Sequence, residues 1–531
     1  MFFDKNENSI SLAFFQILAV ALTKKIRLFI IGSLFQVTYN SDLPKSTTSW
    51  NRAAKLSGEF MIKTLFITFL VLFFSWVSFA DDLTLDDVSR LNETKINRII
   101  RVQDSSHIQE GLIYAIKHGL KVSIAGKRHS QGGHVVYKNG VVLDMTAFDK
   151  ILDINPKKQT ITVQAGISWA QIQEAVNPYG LAIKVMQSSN IFSVGGSISV
   201  NAHGRDPRYG PLIETINQMK IMLFNGVVKT IGPSRNTALF QAITGGYGLL
   251  GIIMEAEIQL TTNQLLQKNT DAAAYTEYAD YLRQKVIAKP KVHLHYGRLS
   301  VAAGKSFLKE GCVTSYYSTG NSADKTAKLE QERWIRRNRY LFGVSRKRRW
   351  GKQLRWEIEK TIVDPVGESK KLISRNNAMR PQIKFLDYYS KKDTDILQEY
   401  FVPLDQFQSF IDHLRKTVQQ HRVNLLNITL RYMAQNKDTL LSYSLKETVA
   451  VVLYANIGQD QQSIDLAGEW TRSLIDNAIS LGGTYYLTYQ GFATKEQMQQ
   501  AYPAFRQFQS IKQKYDPNEV FVNKFYQQYW K

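Results

Sequence analysis

The sequence AGKRHSQGGH, residues 125–134, places two histidines and a serine among three glycines, directly after an apolar run. Three kinds of site have this composition: a metal site, a serine nucleophile, and a backbone cradle for a phosphate group. His129 and His134 lie five residues apart with no Asp, Glu or Cys nearby to complete a metal site. Ser130 lies in H-S-Q-G-G, which differs from the G-x-S-x-G pattern of a nucleophile elbow.

The phosphate cradle explains the loop best. Glycines leave backbone N–H groups exposed, and several of them in one loop can converge on a pyrophosphate. The Ser130 hydroxyl adds a donor, and Lys127 and Arg128 add positive charge. The alternative is a surface turn with two solvated histidines.

Two further glycine clusters strengthen this interpretation. They are FSVGGSISVNAHGR, residues 192–205, and TGGYGLLGIIMEAEIQL, residues 244–260. Glycine allows the main chain to lie against a flat ring or a phosphate, where a side chain would collide. A single cluster of this kind is typical of a tight turn. Three clusters in one region indicate a bound ligand.

Helices and strands alternate around the three clusters. Capping residues and apolar periodicity predict helices over 104–119 and 168–180, and Asn225–Gly226 predicts a hairpin turn. Strands are predicted at 121–125, 140–145, 151–156 and 160–166. Residues 92–262 are therefore predicted to form one α+β domain of two small sheets with flanking helices.

The composition narrows the function classes. The single cysteine, Cys312, excludes an internal disulfide, a Cys-based zinc site and a CxxC redox motif. The formal net charge of +22 favours nucleic acid, anionic lipid or an acidic substrate as a partner. The cellular compartment decides among these partners.

The compartment is indicated by MIKTLFITFLVLFFSWVSFADD, residues 61–82. A lysine, an apolar run and small residues at Ser78 and Ala80 predict a signal peptide over 61–80. Translation from Met61 is then expected, with residues 1–60 an over-long gene model or an unstructured extension. The product is exported, periplasmic or secreted, and nucleic acid is not an expected partner. The alternative is a membrane anchor through residues 65–80.

These motifs resemble the FAD-linked oxidases of the vanillyl-alcohol oxidase type, in which an FAD domain precedes a substrate cap. The resemblance covers residues 92–262 and resumes in KYDPNEVFVNKFYQQYW, residues 514–530. SVGGSISVNAHGRDPRYGPL is most similar to decaprenylphosphoryl-ribose oxidases. RHSQGG is more similar to alditol oxidases, aldonolactone oxidases and cytokinin dehydrogenases, where the histidine of the H-S pair carries the flavin covalently. The resemblance thus implies FAD attached to His129.

The resemblance also implies the other FAD contacts. The pyrophosphate loop comprises Ala125, Gly126, Lys127, Arg128, His129, Ser130, Gln131, Gly132 and Gly133. The ribityl and adenine path comprises Ser188, Ser193, Val194, Gly195, Gly196, Val200, Asn201, Ala202, His203 and Gly204. Ile252 or Ile253 is expected to offer main-chain hydrogen bonds, and Tyr486 to return from the C-terminal segment. His134 has no role in the family and is expected to be a solvated loop histidine.

This sequence differs from the family at active-site positions of decaprenylphosphoryl-ribose oxidases, so the substrate cannot be carried over from them. Tyr489 stands where decaprenylphosphoryl-ribose oxidases have an active-site lysine, and their active-site cysteine has no counterpart near ETVAVVLYA, residues 447–455. Tyr489 is predicted to be the proton acceptor or an oxyanion partner. A tyrosine of ordinary pKa is a poor base at neutral pH, so an orienting role is the alternative.

The implied fold is α+β: a two-subdomain FAD domain, an α+β cap over 263–480, and a segment 481–531 closing on the FAD site. The implied reaction is oxidation of a CH–OH group of a sugar, alditol or lactone, with an electron acceptor reoxidising the flavin. One alternative is a flavin-bearing binding or electron-transfer protein without turnover. Another is a membrane-surface module, since residues 333–356 interleave basic and aromatic side chains. A solvated helical face of the cap explains that segment equally well.

Overall fold

Strands and helices alternate along the chain in a computed structural model that describes residues 83–361 and 372–530. The predicted α+β class is confirmed. The strands are β1 Thr84–Leu85, β2 Thr94–Lys95, β3 Arg98–Arg101, β4 Val122–Ala125, β5 Val141–Asp144, β6 Ile151–Asn155, β7 Thr160–Gln164, β8 Leu181–Ile183, β9 Ile216–Met222, β10 Val228–Ile231, β11 Ile252–Thr262, β12 Gln264–Ala274, β13 Val292–Leu299, β14 Glu310–Ser322, β15 Leu372–Ser374, β16 Asp393–Pro403, β17 Asn424–Met433, β18 Thr448–Gly458 and β19 Thr484–Tyr485. The α-helices are α1 Ser105–Lys117, α2 Trp169–Val176, α3 Val194–Ser199, α4 Thr237–Ile243, α5 Tyr278–Tyr281, α6 Ile335–Lys347, α7 Arg349–Thr361, α8 Arg375–Ala378, α9 Phe407–Gln420, α10 Gln461–Ser480, α11 Lys495–Ala501, α12 Phe505–Tyr515 and α13 Lys524–Trp530. The predicted signal segment 61–80 and the residues upstream of it lie outside the described residues.

A small parallel sheet of β3, β5 and β4 carries the first glycine loop at the carboxyl end of β4. Helix α1 packs on it because Ile108, Leu112 and Ala115 form a buried stripe at helical spacing. The Asp104 carboxylate caps the helix by accepting hydrogen bonds from the second and third backbone amides after it.

An antiparallel sheet has the order β10, β9, β11, β7, β6; the third glycine cluster leads into its strand β11, and the second cluster contains helix α3. Its central strand, β11, pairs with β9 on one edge and with β7 and then β8 on the other. The predicted hairpin joins β9 to β10, with Gly226 at φ +79°. Helix α2 starts from a capping box of Ser168 and Gln171.

An eight-stranded sheet in the order β15, β12, β14, β13, β17, β18, β16, β19 follows directly, since β12 begins two residues after β11 ends. Helices α9 and α10 cover one face, where the rings of Tyr400 and Phe410 lie 5.4 Å apart. Because side chains alternate along a strand, Glu399 and Phe401 point to the opposite face. That face looks toward His203, whose ring lies 5.5 Å from the ring of Phe401.

The C-terminal segment contacts both parts of the fold. Its first strand, β19, extends the eight-stranded sheet by pairing with β16. Further on, the chain returns to the parallel sheet, where the Val122 amide donates to the Val520 carbonyl (2.7 Å) and the Val522 amide donates to the Val122 carbonyl (3.0 Å). Residues from this segment therefore reach the first glycine loop.

The basic and aromatic segment 333–356 lies in the consecutive helices α6 and α7. Phe342 and Trp356 are buried against the rest of the fold, whereas Trp334, Tyr340 and Trp350 keep 68%, 73% and 61% of their surface exposed. Among the residues that the structure describes, each helix is too short or too polar to cross a bilayer.

Candidate functional site

The first glycine loop is enclosed by three separate parts of the chain. A Cβ atom at Gly126 would lie 2.3 Å from the Ser193 hydroxyl, and one at Gly132 would lie 2.6 Å from the Tyr489 carbonyl. Gln131 connects the loop to both neighbours: its amide donates to the Thr488 carbonyl (2.9 Å), and its side-chain oxygen accepts from the Leu397 amide (2.8 Å). The glycines are therefore required by close approach of other backbone and side chains.

Asp87 supports the loop from outside the predicted domain boundary. Its carboxylate accepts hydrogen bonds from the Gly133 amide and the Asn92 side chain, both at 3.0 Å, and from Ser89. Burial raises the pKa of Asp87 to about 6, although hydrogen bonds from Ser89 and Gly133 oppose the shift. The structure thus packs a segment before the predicted boundary at residue 92 against the loop, and β1 of that segment pairs with β2.

The second and third glycine clusters are in contact with each other. Helix α3 is fixed at its start, where the Gly195 amide donates to the Ala165 carbonyl (2.8 Å). At its end, the Ser199 carbonyl accepts from the Tyr247 amide (2.9 Å) in the third cluster. Ser188 lies near this helix, because the adjacent Gln187 donates to the Ser197 hydroxyl (2.8 Å).

Ile252 and Ile253 lie at the start of β11, where the ladder is open on one side. Both residues pair with β9, but pairing with β7 begins only at Glu255. Because the main-chain groups of successive residues in a strand point to opposite edges, one of the two residues presents its N–H and C=O to this unpaired edge, as the predicted hydrogen bonds to FAD require.

A buried pair of ionisable groups lies where the predicted FAD domain meets the eight-stranded sheet. His203 Nε2 lies 2.8 Å from Glu399 Oε1, and both side chains are at least 98% buried. A carboxylate only accepts, so His203 donates through Nε2. In the neutral ring Nδ1 then carries the lone pair, and this atom is buried without a hydrogen-bond partner among the described residues. The pKa of Glu399 is lowered by His203, Arg431 and Tyr489, against its burial.

Tyr489 and Tyr486 extend this pair into the C-terminal segment. The Tyr489 hydroxyl hydrogen-bonds Glu399, and burial together with that carboxylate raises the pKa of Tyr489 well above its ordinary value. The Tyr486 hydroxyl donates to the Val200 carbonyl (2.8 Å), and its amide donates to the Glu399 carbonyl (2.9 Å). The raised pKa disfavours Tyr489 as a base and favours the orienting role.

His129 lies at the half-buried mouth of the loop. Its Nδ1 lies 2.7 Å from the Lys127 carbonyl, and its ring meets the Phe192 ring edge-on at 4.9 Å. A carbonyl only accepts, so Nδ1 carries the proton and Nε2 keeps its lone pair in the neutral ring. Burial lowers the pKa of His129, which favours that neutral form.

The prediction that His134 is a solvated loop histidine is wrong. Its ring is stacked on Phe525 at 4.9 Å and lies 5.1 Å from the Tyr247 ring, and it is 6% exposed. The reason is the C-terminal segment: the Asn523 amide group donates to the carbonyls of His134 and Tyr247, both at 3.0 Å, and holds α13 over the loop. His134 is therefore a packing residue between the loop and α13.

His134 is expected to make stability fall in acid. Burial lowers its pKa to about 3, although the Leu487 backbone opposes this slightly. Between about pH 6.5 and 3 the unfolded chain binds a proton that the folded chain excludes, so folding loses about 1.4 kcal/mol per pH unit. His134→Phe should remove this part of the pH slope in urea unfolding, with His118→Phe on the surface as the control. An unchanged slope in His134→Phe would show that the folded state already protonates His134.

Most of the predicted FAD contacts converge on this region. Those in the interior are Ala125, Gln131, Gly132, Gly133, Ser193, Val194, Gly195, Asn201, Ala202, His203, Ile252, Ile253 and Tyr486. Half-buried are Gly126, His129, Ser130, Ser188, Val200 and Gly204, and exposed are Lys127, Arg128 and Gly196. The residues fit FAD on two observations: the unpaired edge at the start of β11, and the unpartnered buried nitrogen of His203.

Sequence reasoning missed Glu399 and Arg431. Glu399 lies in the buried strand DILQEYFVP, and a carboxylate within such an apolar run is a signal of a functional or paired group. Arg431 lies in NITLRYM of β17 in the same setting. The described residues contain no group of three His, Cys, Asp or Glu side chains placed to bind a metal ion.

Two family models match the chain. Residues 96–232 match a model described as an FAD binding domain, and residues 370–529 match the D-arabinono-1,4-lactone oxidase model. The first match covers the first glycine loop and the second glycine cluster and ends just after β10, before the third cluster, and the second match covers Glu399, Arg431 and Tyr489.

Similar proteins carry related names. Decaprenylphosphoryl-beta-D-ribose oxidase of Mycolicibacterium smegmatis is 30% identical over 31% of this chain and 37% of its own length. L-galactono-1,4-lactone dehydrogenase 2 of Oryza sativa subsp. japonica is 27% identical over 38% of this chain and 35% of its own length. L-gulonolactone oxidase of Mus musculus is 21% identical over 79% of this chain and 91% of its own length. The matched region thus spans about a third of the first two relatives and most of the third.

Proposed function

We propose a reaction from the premise that this chain belongs to the FAD-linked oxidases of the vanillyl-alcohol oxidase type, a family of FAD-dependent oxidoreductases. The proposed reaction is two-electron oxidation of a CH–OH group in a sugar, alditol or lactone. The observation that carries it is the buried His203–Glu399 pair, in which Nδ1 has no partner. The relatives named above, which act on a ribose derivative and on two aldonolactones, support the substrate class.

In this proposal His203 is the proton acceptor. Its Nδ1 takes the hydroxyl proton while the C–H bond breaks and the C=O bond forms. Glu399 holds the ring through Nε2 and stabilises the positive charge that develops on it. FAD, when bound, supplies the acceptor for the hydride that leaves the substrate carbon. Tyr489 donates to Glu399 and orients it.

We further propose that His129 holds FAD covalently through Nε2. The Lys127 carbonyl fixes the Nδ1–H tautomer, and the lowered pKa keeps the ring neutral. A neutral imidazole with a free lone pair is the form that can act as a nucleophile. The new C–N bond would replace a C–H bond of the 8α methyl group of the flavin, whose proton would be released to solvent; the two electrons would remain on the flavin ring until the electron acceptor removes them. The glycine loop then only needs to hold the pyrophosphate.

Anaerobic flavin reduction tests the reaction. A panel of polyols, aldoses and aldonolactones is mixed with the flavin-loaded protein, and loss of the oxidised flavin absorbance is followed. At least one member is expected to bleach the flavin, with reoxidation by air or a dye afterwards. If dithionite bleaches the flavin but no member of the panel does, the protein is instead a flavin-bearing binding or electron-transfer protein without turnover.

We also propose export through a signal peptide over residues 61–80, with translation from Met61. The apolar run and the small residues before Asp81 support it. Mass spectrometry of the native protein is expected to find an N-terminus at Asp81. Peptides from residues 1–60 in the native host would contradict the start site.

A second proposed activity is contact with an anionic bilayer surface through helices α6 and α7. Residues 333–356 contain ten Lys or Arg and no Asp or Glu, and Trp334, Tyr340 and Trp350 are exposed among them. Exposed aromatic and basic side chains together favour the interface of an anionic membrane, at about 1 kcal/mol per basic residue near the surface.

Vesicle co-sedimentation tests this contact. The protein is expected to sediment with phosphatidylserine vesicles and to stay in solution with phosphatidylcholine vesicles. Replacing Trp334 and Trp350 by serine should weaken sedimentation several-fold, whereas Tyr179→Ser, at another exposed aromatic position, should not. If the double variant and the wild type sediment equally, the contact is contradicted, and α6 and α7 form a solvated face of the protein.

A further inference from the structure

We propose that residues 86–92 form a latch on the first glycine loop, which frees the loop for cofactor entry near neutral pH and fixes it around the cofactor in acid. The residue that responds to pH is Asp87. The latch lies between β1 and β2, ahead of both regions that match a family model. This inference rests on the proposed function only in taking the loop as the FAD loop.

The latch and helix α13 meet at Gly133. The Asp87 carboxylate accepts a hydrogen bond from the Gly133 amide (3.0 Å), and the Asn92 side chain donates to the Gln131 carbonyl (2.8 Å). A Cβ atom at Gly133, whose φ is +68°, would lie 2.7 Å from Lys524 Cβ and 3.2 Å from the Asn92 side-chain oxygen. The closed latch thus fixes the end of the loop, and opening it releases the Gly133 amide.

The closed latch buries a carboxyl group that no cation balances. Asp87 is only 4% exposed and has no ion-pair partner among the described residues. Asp86 beside it is a second carboxylate and raises its pKa, and Glu93 lies close enough to raise the pKa of Asp86. The Lys524 ammonium group, which faces both aspartates from α13, donates to the Asn92 carbonyl (3.1 Å). Because an unpaired buried charge is costly, the closed latch favours the protonated, neutral carboxyl group.

The remaining elements around the latch bring no counter-ion to this carboxyl group. In the loop, Lys127 and Arg128 have exposed side chains. In β16, the Thr394 hydroxyl donates to the Ser89 carbonyl (2.7 Å) and accepts from the Arg90 guanidinium (3.2 Å). The basic groups of the loop and of the latch itself are therefore solvated or engaged elsewhere.

The neutral form of Asp87 keeps the contacts that close the latch. Its Oδ1 lies 2.5 Å from the Ser89 hydroxyl oxygen, so a proton on Oδ1 can be donated to that oxygen. Its Oδ2 continues to accept hydrogen bonds from the Gly133 amide and the Asn92 side chain, both at 3.0 Å. Protonation therefore removes the buried charge without opening the latch.

The direction of the pH dependence follows from the two states of the latch. Opening exposes Asp87 to water, where the pKa of an aspartate is about 3.9, whereas burial in the closed latch raises this pKa to about 6. Between about pH 4 and 6 the closed form holds a proton that the open form releases, so each unit of rising pH favours opening about tenfold. Above about pH 6 both forms are ionised and the preference levels off. This effect is opposite in sign to that of His134 on unfolding.

Hydrogen exchange of the full chain, followed by mass spectrometry, tests the latch without flavin absorbance or turnover. After correction for the intrinsic exchange rate, protection of the peptide that contains Gly133 is expected to fall about tenfold per pH unit from pH 4 to 6 and then to level off. The measurement is repeated in His134→Phe, so that titration of the neighbouring imidazole does not contribute. Protection that is constant over this range, or that falls in acid, would overturn the inference.

Asp87→Asn imitates the neutral acid, since its amide group can donate to Ser89 and its oxygen can accept from Gly133. The variant should protect Gly133 at pH 7 at least tenfold better than the wild type does, and it should remove the pH dependence. Asp104→Asn, at the exposed cap of α1, is the matched control and should behave as the wild type. If Asp87→Asn keeps the pH dependence of the wild type, another group titrates and the assignment to Asp87 is wrong.

The release of FAD tests the link between the latch and the cofactor. In His129→Ala protein, where FAD is held without a covalent bond, release should be several-fold slower at pH 4.5 than at pH 6.5. Adding Asp87→Asn should make release slow at both pH values. Equal release rates at the two pH values in His129→Ala would contradict the role of the latch in cofactor entry.

Failure of the latch and failure of the proposed function give different results. Flavin reduction by a substrate, together with pH-independent protection of Gly133, would remove the latch and leave the reaction in place. A pH-dependent protection of Gly133 without flavin reduction by any panel member would remove the reaction and leave the latch.

Discussion

Glu399→Gln is expected to slow flavin reduction by substrate by two to four orders of magnitude, roughly the range of general acid–base catalysis. The glutamine keeps the size of the side chain but carries no negative charge. The positive charge that His203 acquires with the hydroxyl proton then lacks its stabilising partner, and the amide can also hold the wrong tautomer of the ring. Stopped-flow absorbance under anaerobic conditions measures the rate directly.

Two further substitutions test whether the loss of rate is specific to the His203–Glu399 pair. His203→Gln should cost about as much as Glu399→Gln, and the double variant little more than either, because the two residues act as a unit. Tyr489→Phe should cost less than about tenfold, since the phenol only orients the carboxylate in this mechanism. A large loss in Tyr489→Phe together with an unimpaired Glu399→Gln would assign the base to Tyr489 instead.

His129→Ala is expected to abolish covalent flavin completely while leaving some FAD bound, since the glycine loop remains. Wild-type protein denatured on a gel should keep flavin fluorescence, and the variant should lose it. Trypsin cleaves after Arg128 and Lys138, so one peptide contains both His129 and His134. Fragmentation of that peptide should place the flavin mass on His129.

His134→Phe is the matched control for attachment, because it keeps a ring between Tyr247 and Phe525. It should retain the covalent flavin. Release of all flavin from wild-type protein by acid precipitation would show that the attachment is non-covalent and that His129 is only a neighbour of the ring.

Local sequence patterns were sufficient to predict helices α1 and α2, the hairpin turn and the cofactor. The caps of α1 and α2, the hairpin at Gly226 and the three glycine clusters each depend on residues close together in sequence. Such features can be predicted because backbone conformation and capping are decided over a few residues. The FAD site therefore followed from the sequence and its resemblance to a family.

The contact between His203 and Glu399 could not be predicted in this way. His203 and Glu399 are separated by 196 residues, and neither local sequence specifies the other as a partner. The prediction that His134 is solvated was wrong for the same reason. The neighbouring glycines suggested an exposed loop, but the segment that begins with Asn523, 389 residues further along the chain, covers His134. Contacts over such distances are set by the packing of whole sheets.

The return of the C-terminal segment has a consequence for biosynthesis. Tyr486 and Asn523 contact Val200, His134 and Tyr247, which leave the ribosome hundreds of residues earlier. The glycine loop can form with the parallel sheet, but its enclosure waits for residues translated near the end of synthesis. Flavin loading is thereby coupled to completion of the polypeptide, and a partly made chain exposes an open loop rather than a finished cofactor site.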